Sequence, residues 1–382
     1  MNKKRLYRLV FLFPLLWAVL VCSSCHGSSA KGTDGGDTVT FKYATLLKIV
    51  NYPDYRVAIV RDPWSHGRVL HTYVLVPESA KNLPASLPEG TVVRTPIHKT
   101  VVFTSVHCGL LDELGRIGSV VATADVQYIL NPRILTAVRS GRIADVGQAM
   151  LPNVEKIIRM NPDGLLVSPF QSSGGYGKLE QTGIPLIECA DYMETSPLGR
   201  AEWMRFFGML YGCEETADSL FSVVETRYKR LSESVQRLRI KRPRVMIDLQ
   251  DGGAWYVPAA NSTLGQMIQD AGGAYLFSDK KGSGSVRLSF ETVFKRARNA
   301  DIWLLKYGKA DDYTYKTLKS EKEAYAAFWP WKRREIYGCN TLKVPFFDKE
   351  PFHPDLLLSD FVQIFYPDGE KNLTFYSPLS NE

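Results

Sequence analysis

From residue 100 onward, short apolar runs alternate with amphipathic helical segments, and this alternation constrains the fold more than any other feature. Runs such as TVVFTS, GLLVSP and IWLLKY are rich in β-branched and apolar residues, which is typical of buried strands. Between them lie segments such as PNVEKIIRMNPD, whose apolar residues recur at helical spacing. Strands that alternate with helices predict parallel sheets covered by helices, so the fold class is α/β.

One long segment divides this alternation into two halves. No Gly or Pro occurs from Glu214 to Ile240, and the apolar residues of this segment lie at helical spacings. Its acidic residues come early and its basic residues late, which suits the dipole of a single helix. We therefore predict two lobes, each a mostly parallel sheet covered by helices, joined by one long rigid helix.

The N-terminus predicts export and a lipid anchor. Residues 1–8 are basic, residues 9–21 form a short apolar run, and two serines stand directly before Cys25. This order is typical of a signal peptide that ends in a lipoprotein cleavage box, although Cys22 stands where that box usually has Leu. Cys25 would then be the lipidated first residue of the mature protein. An ordinary secretory signal is the alternative interpretation.

The segment between the leader and the alternation is predicted to be rich in β-strands. Its runs KYATLLKIV, YRVAIVR and VLHTYVLV alternate polar and apolar residues, and AKNLPASLPEG is typical of a loop. The predicted organisation is a signal peptide with lipobox (1–25), a flexible tether (26–38), a β-rich extension (39–97), an N-terminal lobe (98–213), a connecting helix (214–241) and a C-terminal lobe (242–382).

Charge and motifs exclude several classes of function. The formal net charge is +7, but four basic residues lie in the leader, and no cluster of Lys and Arg remains that would follow a phosphate backbone. We therefore expect no nucleic-acid binding. The cysteines of the folded body fit no zinc spacing, although an oxidising compartment permits a disulfide. The sequence contains no nucleophile-elbow, zinc-protease or nucleotide-binding motif, so nothing in it argues for an enzyme.

Two acidic residues occupy matching positions in the two halves. Glu155 follows Asn153, and Glu291 follows Ser289, each at the second position of a predicted helix that leads into a buried strand. Complementing the helix N-terminus explains either one alone. As a pair on two lobes they also suit docking, because two separated carboxylates can each accept a bidentate Arg from a partner.

Three aromatic residues near predicted strand ends are candidates for a ligand site. Trp255 and Tyr256 follow a strand and a Gly-Gly turn in the second half, and Tyr192 lies in the corresponding loop of the first half. Aromatic rings at such positions either stack on a flat ligand or cover the core.

Two polar residues are further candidates. His107 follows the first strand of the N-terminal lobe, where it either reaches a metal carried in a ligand or packs at the start of a helix. Arg200 heads a helix, where it either meets an anionic ligand or pairs with Glu194, and we favour the pair.

In their joint order, these segments resemble the class III periplasmic substrate-binding proteins of ABC importers, which serve ferric siderophores, haem and cobalamin. The resemblance covers about residues 100–366 and is carried by TVVFTSVHCGLLDELGRIGSVVATA, DVGQAMLPNVEKIIRMNPDGLLV, YMETSPLGRAEWMRFFGMLYG, AWYVPAANSTLGQMIQDAGG, SFETVFKRARNADIWLL and FHPDLLLSDFVQIFYP. It implies two rigid lobes with ligand between them, and one glutamate per lobe that docks onto permease arginines. Glu155 and Glu291 match those two positions, whereas residues 39–97 are additional to the family core.

The resemblance implies a monomeric, exported, lipid-anchored protein that captures a ferric siderophore between its lobes and delivers it to an ABC permease and its ATPase. Cobalamin or haem is the alternative cargo. Such a protein needs no cofactor or resident metal, because the metal arrives within the bound chelate. Two other hypotheses are a lipoprotein hydrolase or chelatase, which needs a nucleophile–base pair or an open metal site, and a surface lipoprotein that interacts through residues 39–97.

Overall fold

The structure, a computed structural model, describes residues 36–81, 84–171 and 175–382. The predicted signal peptide, Cys25 and most of the predicted tether lie outside these residues. Within them, no helix combines the length and the apolar character needed to cross a bilayer. Four cysteines of the described part are buried free thiols, namely Cys108, Cys189, Cys213 and Cys339.

The segment before the lobes forms a five-stranded sheet, called here the N-terminal sheet, with its strands in sequence order. Neighbouring strands are antiparallel except for the last pair, which is parallel. The strands are β1 (Asp37–Val39), β2 (Leu47–Asn51), β3 (Arg56–Arg61), β4 (Val69–Pro77) and β5 (Thr91–Thr95). The first strand begins at Asp37, inside the predicted tether.

The N-terminal lobe contains a parallel five-stranded sheet in the order β12-β11-β6-β7-β8. Its central strands are buried along their length, as the continuous apolar runs in the sequence predict. The elements are β6 (Thr100–Val102), α1 (Ser105–Glu113), β7 (Val120–Thr123), α2 (Pro132–Arg139), β8 (Ala144–Asp145), β9 (Gly147–Gln148), β10 (Leu151–Pro152), α3 (Val154–Met160), β11 (Gly164–Val167), β12 (Leu186–Glu188), α4 (Pro197–Glu202) and α5 (Met204–Tyr211).

The lobes are connected by α6 (Glu214–Gln236), a helix of 23 residues. It buries one stripe of side chains at helical spacing, which includes Phe221, Val224 and Tyr228. The sequence pattern predicted a helix to residue 241, but the helix ends earlier. No residue from 236 to 242 is buried, so packing does not stabilise further turns, and Pro243 disfavours helical backbone before it.

The C-terminal lobe repeats the plan with a mixed sheet in the order β16-β13-β18-β19-β20, in which only the last pair is antiparallel. An antiparallel sheet, β14-β15-β17, accompanies it. The elements are β13 (Arg244–Ile247), β14 (Gln250–Asp251), β15 (Ala254–Pro258), α7 (Thr263–Asp270), β16 (Ala274–Tyr275), β17 (Ser285–Leu288), α8 (Phe290–Ala297), β18 (Ile302–Tyr307), α9 (Tyr315–Glu321), α10 (Trp329–Arg333), β19 (Ile336–Asn340), α11 (Phe346–Lys349), α12 (Pro354–Phe365) and β20 (Ser377–Pro378). The predicted two-lobe α/β fold is confirmed.

The N-terminal sheet is held to the N-terminal lobe by two buried carboxylates. Glu202 accepts the backbone N–H groups of residues 42, 43 and 44 at 2.7–2.9 Å. Glu194 accepts those of residues 45 and 46, and the indole N–H of Trp203 as well. Five consecutive amides, which are not paired in a strand, therefore find their acceptors in the lobe. A buried carboxylate is tolerated when it is paired in this way.

The two lobes also touch directly through α1 and the segment that contains α11. Gly109 in α1 lies so close to the backbone of Asp348 that a Cβ there would stand 2.3 Å from its carbonyl oxygen. The Asp348 side chain accepts the backbone N–H of Leu130 at 3.1 Å. His353 pairs with Glu113, at the end of α1. These contacts join the lobes independently of α6.

We expect the contact between His353 and Glu113 to make stability depend on pH. Burial alone would lower the pKa of His353, but hydrogen bonds to Asp355 and Glu113 raise it to about 9. A raised pKa stabilises the folded protein fully below about pH 6.5, and that contribution is lost as the pH rises toward 9. The loss should be roughly 2–4 kcal/mol.

Urea unfolding of the wild type and of His353→Gln between pH 6 and 9.5 measures this effect. The free energy of unfolding of the wild type should fall across this range, and that of the variant should change less. His98→Gln, which alters an exposed His–Glu pair on the surface, should follow the wild type. Parallel pH profiles for the wild type and His353→Gln would contradict the prediction.

Candidate functional site

A cavity lies in the N-terminal lobe, at the carboxyl ends of β6 and β11. Its volume is about 1110 Å³, and its lining side chains are more often apolar than polar. In α/β folds, ligands bind beyond the carboxyl ends of parallel strands. The lining residues are Phe103, Thr104, Ala149, Met150, Leu151, Pro152, Asn153, Val154, Glu155, Ile158, Val167, Ser168, Phe170, Gly175, Tyr176, Gly177, Lys178, Leu179, Gln181 and Thr182.

This cavity is called here the N-lobe pocket. Several large apolar side chains are exposed at its rim. Met150 is 74% exposed and Leu151 is 81% exposed, and Ile158 and Phe170 are also accessible. Large apolar side chains that are exposed side by side are typical of a site that binds a ligand or a partner protein. The charged side chains of the lining are Glu155 and Lys178. The pocket therefore suits a bulky ligand with apolar surface and few charges.

Glu155 and Glu291 occupy equivalent places in the two lobes. Each is exposed at the second position of a helix, α3 or α8, behind a capping side chain. Asn153 accepts the N–H of Lys156 at 2.9 Å, and Ser289 accepts the N–H of Thr292 at 3.2 Å. Hydrogen bonds from its own backbone amide and from Ser289 lower the pKa of Glu291. The structure also places Glu155 at the edge of the N-lobe pocket.

Residues 101–328 match the sequence model of the family described as periplasmic binding protein. The chain belongs to this family. The match begins directly after the N-terminal sheet and covers parts of both lobes. This membership confirms the family that the sequence motifs predicted.

Individual proteins are similar to this chain in sequence or in fold. An uncharacterized lipoprotein of Methanocaldococcus jannaschii is 27% identical over 292 residues, or 73% of this chain and 68% of that protein. A possible iron-binding (periplasmic solute-binding) protein from Staphylococcus epidermidis has a TM-score of 0.57 at 19% identity, over 71% of this chain and 100% of that one. A periplasmic heme binding protein from Pseudomonas aeruginosa has a TM-score of 0.57 at 15% identity, over 74% and 98%. The family and the lipoprotein relative point to an exported, envelope-associated protein.

Two residues of this periplasmic binding protein that were predicted to bind ligand, His107 and Arg200, lie in a buried hydrogen-bond network and do not line the N-lobe pocket. The side chain of His107 is 2% exposed, with Nε2 3.0 Å from Asp191 and Nδ1 2.9 Å from Thr104. Arg200 donates to the same Asp191 at 3.3 Å, not to Glu194 as we expected, because Glu194 is occupied by the N-terminal sheet. Burial would raise the pKa of Asp191, but His107 and Arg200 together lower it. The network therefore fixes Asp191, which follows β12, and both nitrogens of the His107 ring are already engaged.

The predicted aromatic pair of the C-terminal lobe is divided between two faces. Trp255 is fully buried against Trp303 and donates its indole N–H to Ile247, so it is a core residue and not a ligand wall. Tyr256 is 45% exposed and lies opposite Arg287 of β17. The reason is the strand period of two, which points neighbouring residues to opposite faces. Neither residue lines the N-lobe pocket.

Tyr192 lies behind the wall of the N-lobe pocket. Its hydroxyl donates to the carbonyl of Pro169, between the lining residues Ser168 and Phe170, and the residue is 36% exposed. Tyr176, which the sequence analysis did not single out, lines the pocket itself. An aromatic residue inside the Gly-rich run SSGGYG was the available signal. Among the described residues, no cluster of three or more His, Cys, Asp or Glu side chains could hold a metal ion.

Proposed function

We propose that this periplasmic binding protein is the substrate-binding lipoprotein of an ABC importer and captures an iron chelate, with a ferric siderophore as the leading candidate. The observation that carries the proposal is the N-lobe pocket, about 1110 Å³ at the carboxyl ends of β6 and β11. All of its lining residues belong to the N-terminal lobe, whereas the family resemblance predicted cargo between the two lobes. A cavity of this size accommodates a whole chelate rather than a bare ion. Lipidation of Cys25 would hold the protein at the membrane that contains its transporter.

Haem or cobalamin is the second candidate for the cargo. The apolar side chains at the rim, such as Met150, Leu151 and Phe170, favour a ligand with a large apolar face. We propose recognition without turnover in either case, so that the protein is not an enzyme and needs no cofactor of its own. The metal would arrive within the cargo.

Delivery requires a second contact, and we propose that Glu155 and Glu291 provide it. Both are exposed at the first turn of a helix, one on each lobe. A carboxylate at that position is free to accept two N–H groups from an arginine of the permease. The ATPase of the transporter would act through the permease and would not touch this protein.

Calorimetric titration of the mature protein with four probes tests the proposed cargo. The probes are a ferric trihydroxamate, a ferric tris-catecholate, haemin and cyanocobalamin. We expect one class to bind at least about tenfold more tightly than the others, because a preformed pocket discriminates by shape and charge. Phe170→Asp, which places a charge at the apolar rim, should weaken that binding. Equal weak binding of all four probes, or none, would refute an iron-chelate, haem or cobalamin cargo.

A further inference from the structure

The N-terminal sheet, which precedes the residues that match the family, reaches the wall of the N-lobe pocket through a chain of side chains. His71 in β4 lies with Nδ1 3.1 Å from Glu188, the last residue of β12. The other oxygen of Glu188 accepts the hydroxyl of Tyr176 at 2.9 Å. Tyr176 lines the pocket. Three side chains therefore connect a sheet outside the matched range to the place where cargo would sit.

Further hydrogen bonds and a ring contact hold Glu188 and His71 in these positions. Tyr73, fully buried in β4, accepts the backbone N–H of Glu188 at 2.8 Å and donates to the carbonyl of Leu186 at 3.1 Å. The N-terminal sheet thus covers the edge strand of the lobe sheet, which would otherwise expose unpaired backbone groups. His71 is fixed by stacking on Tyr73 and by Thr91, 2.7 Å from its Nε2.

Tyr176 acts as a hydrogen-bond donor in this arrangement. Burial beside Glu188 raises its pKa, so the phenol keeps its proton at physiological pH. Its backbone N–H donates to the side chain of Glu180. Glu180 belongs to the short 3-10 helix Gly177–Thr182, which forms part of the pocket wall. The position of the Tyr176 ring and the course of this wall segment therefore depend on the same residue.

We propose that the N-terminal sheet sets the shape of the N-lobe pocket, with His71 and Glu188 as positioning residues for Tyr176. The inference rests on the proposed function, because it assumes that this pocket holds the cargo. A wall that is ordered before binding loses less conformational freedom when cargo arrives, which increases affinity. The N-terminal sheet is then part of the binding apparatus, although it contributes no lining residue itself.

Two measurements on the full mature protein test this coupling. The first is amide hydrogen exchange of peptides that cover residues 175–182, without any cargo. The second is the affinity for whichever of the four probes binds the wild type. His71→Leu removes the contact with Glu188 but keeps an apolar group against Tyr73, and His98→Leu makes the same change at an exposed His–Glu pair that does not touch Glu188.

We expect His71→Leu to accelerate exchange in residues 175–182 and to weaken affinity about fivefold, the worth of one hydrogen bond. His98→Leu should change neither quantity. His71→Asn, whose amide replaces Nδ1, should restore most of both. Tyr176→Phe should weaken affinity by the same factor. The double variant His71→Leu/Tyr176→Phe should bind no more weakly than Tyr176→Phe alone, because both changes break the same series of contacts. If His71→Leu acted through a general loss of stability, the two losses of affinity would add.

Unchanged exchange in His71→Leu would refute the coupling, even where a probe binds well. Additive losses in the double variant would also refute it, because His71 would then act by another route. If no probe binds the wild type, the proposed cargo fails, and the exchange measurement still decides whether the N-terminal sheet controls the pocket wall.

Discussion

Reversing the charge of Glu155 and Glu291 together is expected to abolish uptake while the affinity for cargo stays nearly the same. In the double variant, two positive charges face the permease arginines, so two attractive contacts become two repulsive ones. Like charges that face each other at an interface cost several kcal/mol. We expect transport to fall by about 100-fold or more, since each tenfold is about 1.4 kcal/mol. Uptake by cells that carry the cognate permease, and titration of the purified Glu155→Arg/Glu291→Arg variant, give the two quantities.

A matched control separates docking from a general effect of charge. Glu215 and Glu323 are also exposed acidic residues in the first turn of a helix, so Glu215→Arg/Glu323→Arg makes the same change in net charge. This variant should transport normally. Because Glu155 also lies at the edge of the N-lobe pocket, the affinity measurement is decisive. A loss of affinity as large as the loss of uptake would make Glu155 a cargo residue and end the docking role.

The fold was predictable because it depends on local patterns. The strands β6, β11, β13 and β18 appear in the sequence as apolar runs, and the helices between them have apolar residues at regular spacing. Glu155 and Glu291 were found in the same way, since each follows a capping residue by two positions. Their role in docking stays a prediction.

The ligand site was less predictable because it depends on contacts between distant segments. Whether Trp255 or Tyr256 faces the core is decided by the sheet that covers β15, not by the strand itself. The partner of Arg200 depended on Glu194, which is engaged with residues 45 and 46. Tyr176 belongs to the pocket because of its place beside Glu188, and its own short segment gave no periodic signal.

Replacing Glu202 by Gln is expected to loosen the N-terminal sheet from the lobe and to destabilise the protein strongly. Glu202 is 1% exposed and its carboxylate accepts three backbone N–H groups, so these groups are buried away from solvent. In Gln, an NH₂ group replaces one of the two acceptor oxygens, so its N–H donors face the backbone N–H donors of residues 42–44. Losing such bonds to a buried charged acceptor costs roughly 3–5 kcal/mol. Urea unfolding and protease cleavage within residues 37–97 measure the loss.

Glu225→Gln is the matched control, because Glu225 binds the same segment from α6 but through side chains. It accepts Lys42 Nζ and the Tyr43 hydroxyl at 2.6 Å each, and these groups can reach water when the carboxylate is lost. We expect it to cost about 1 kcal/mol. A point substitution tests Glu202 alone. Deleting the N-terminal sheet would remove the backbone donors of both Glu194 and Glu202. Equal stability of Glu202→Gln and the wild type would mean that the buried carboxylate does not hold the N-terminal sheet, and the coupling of that sheet to the pocket would then depend on His71 and Tyr73 alone.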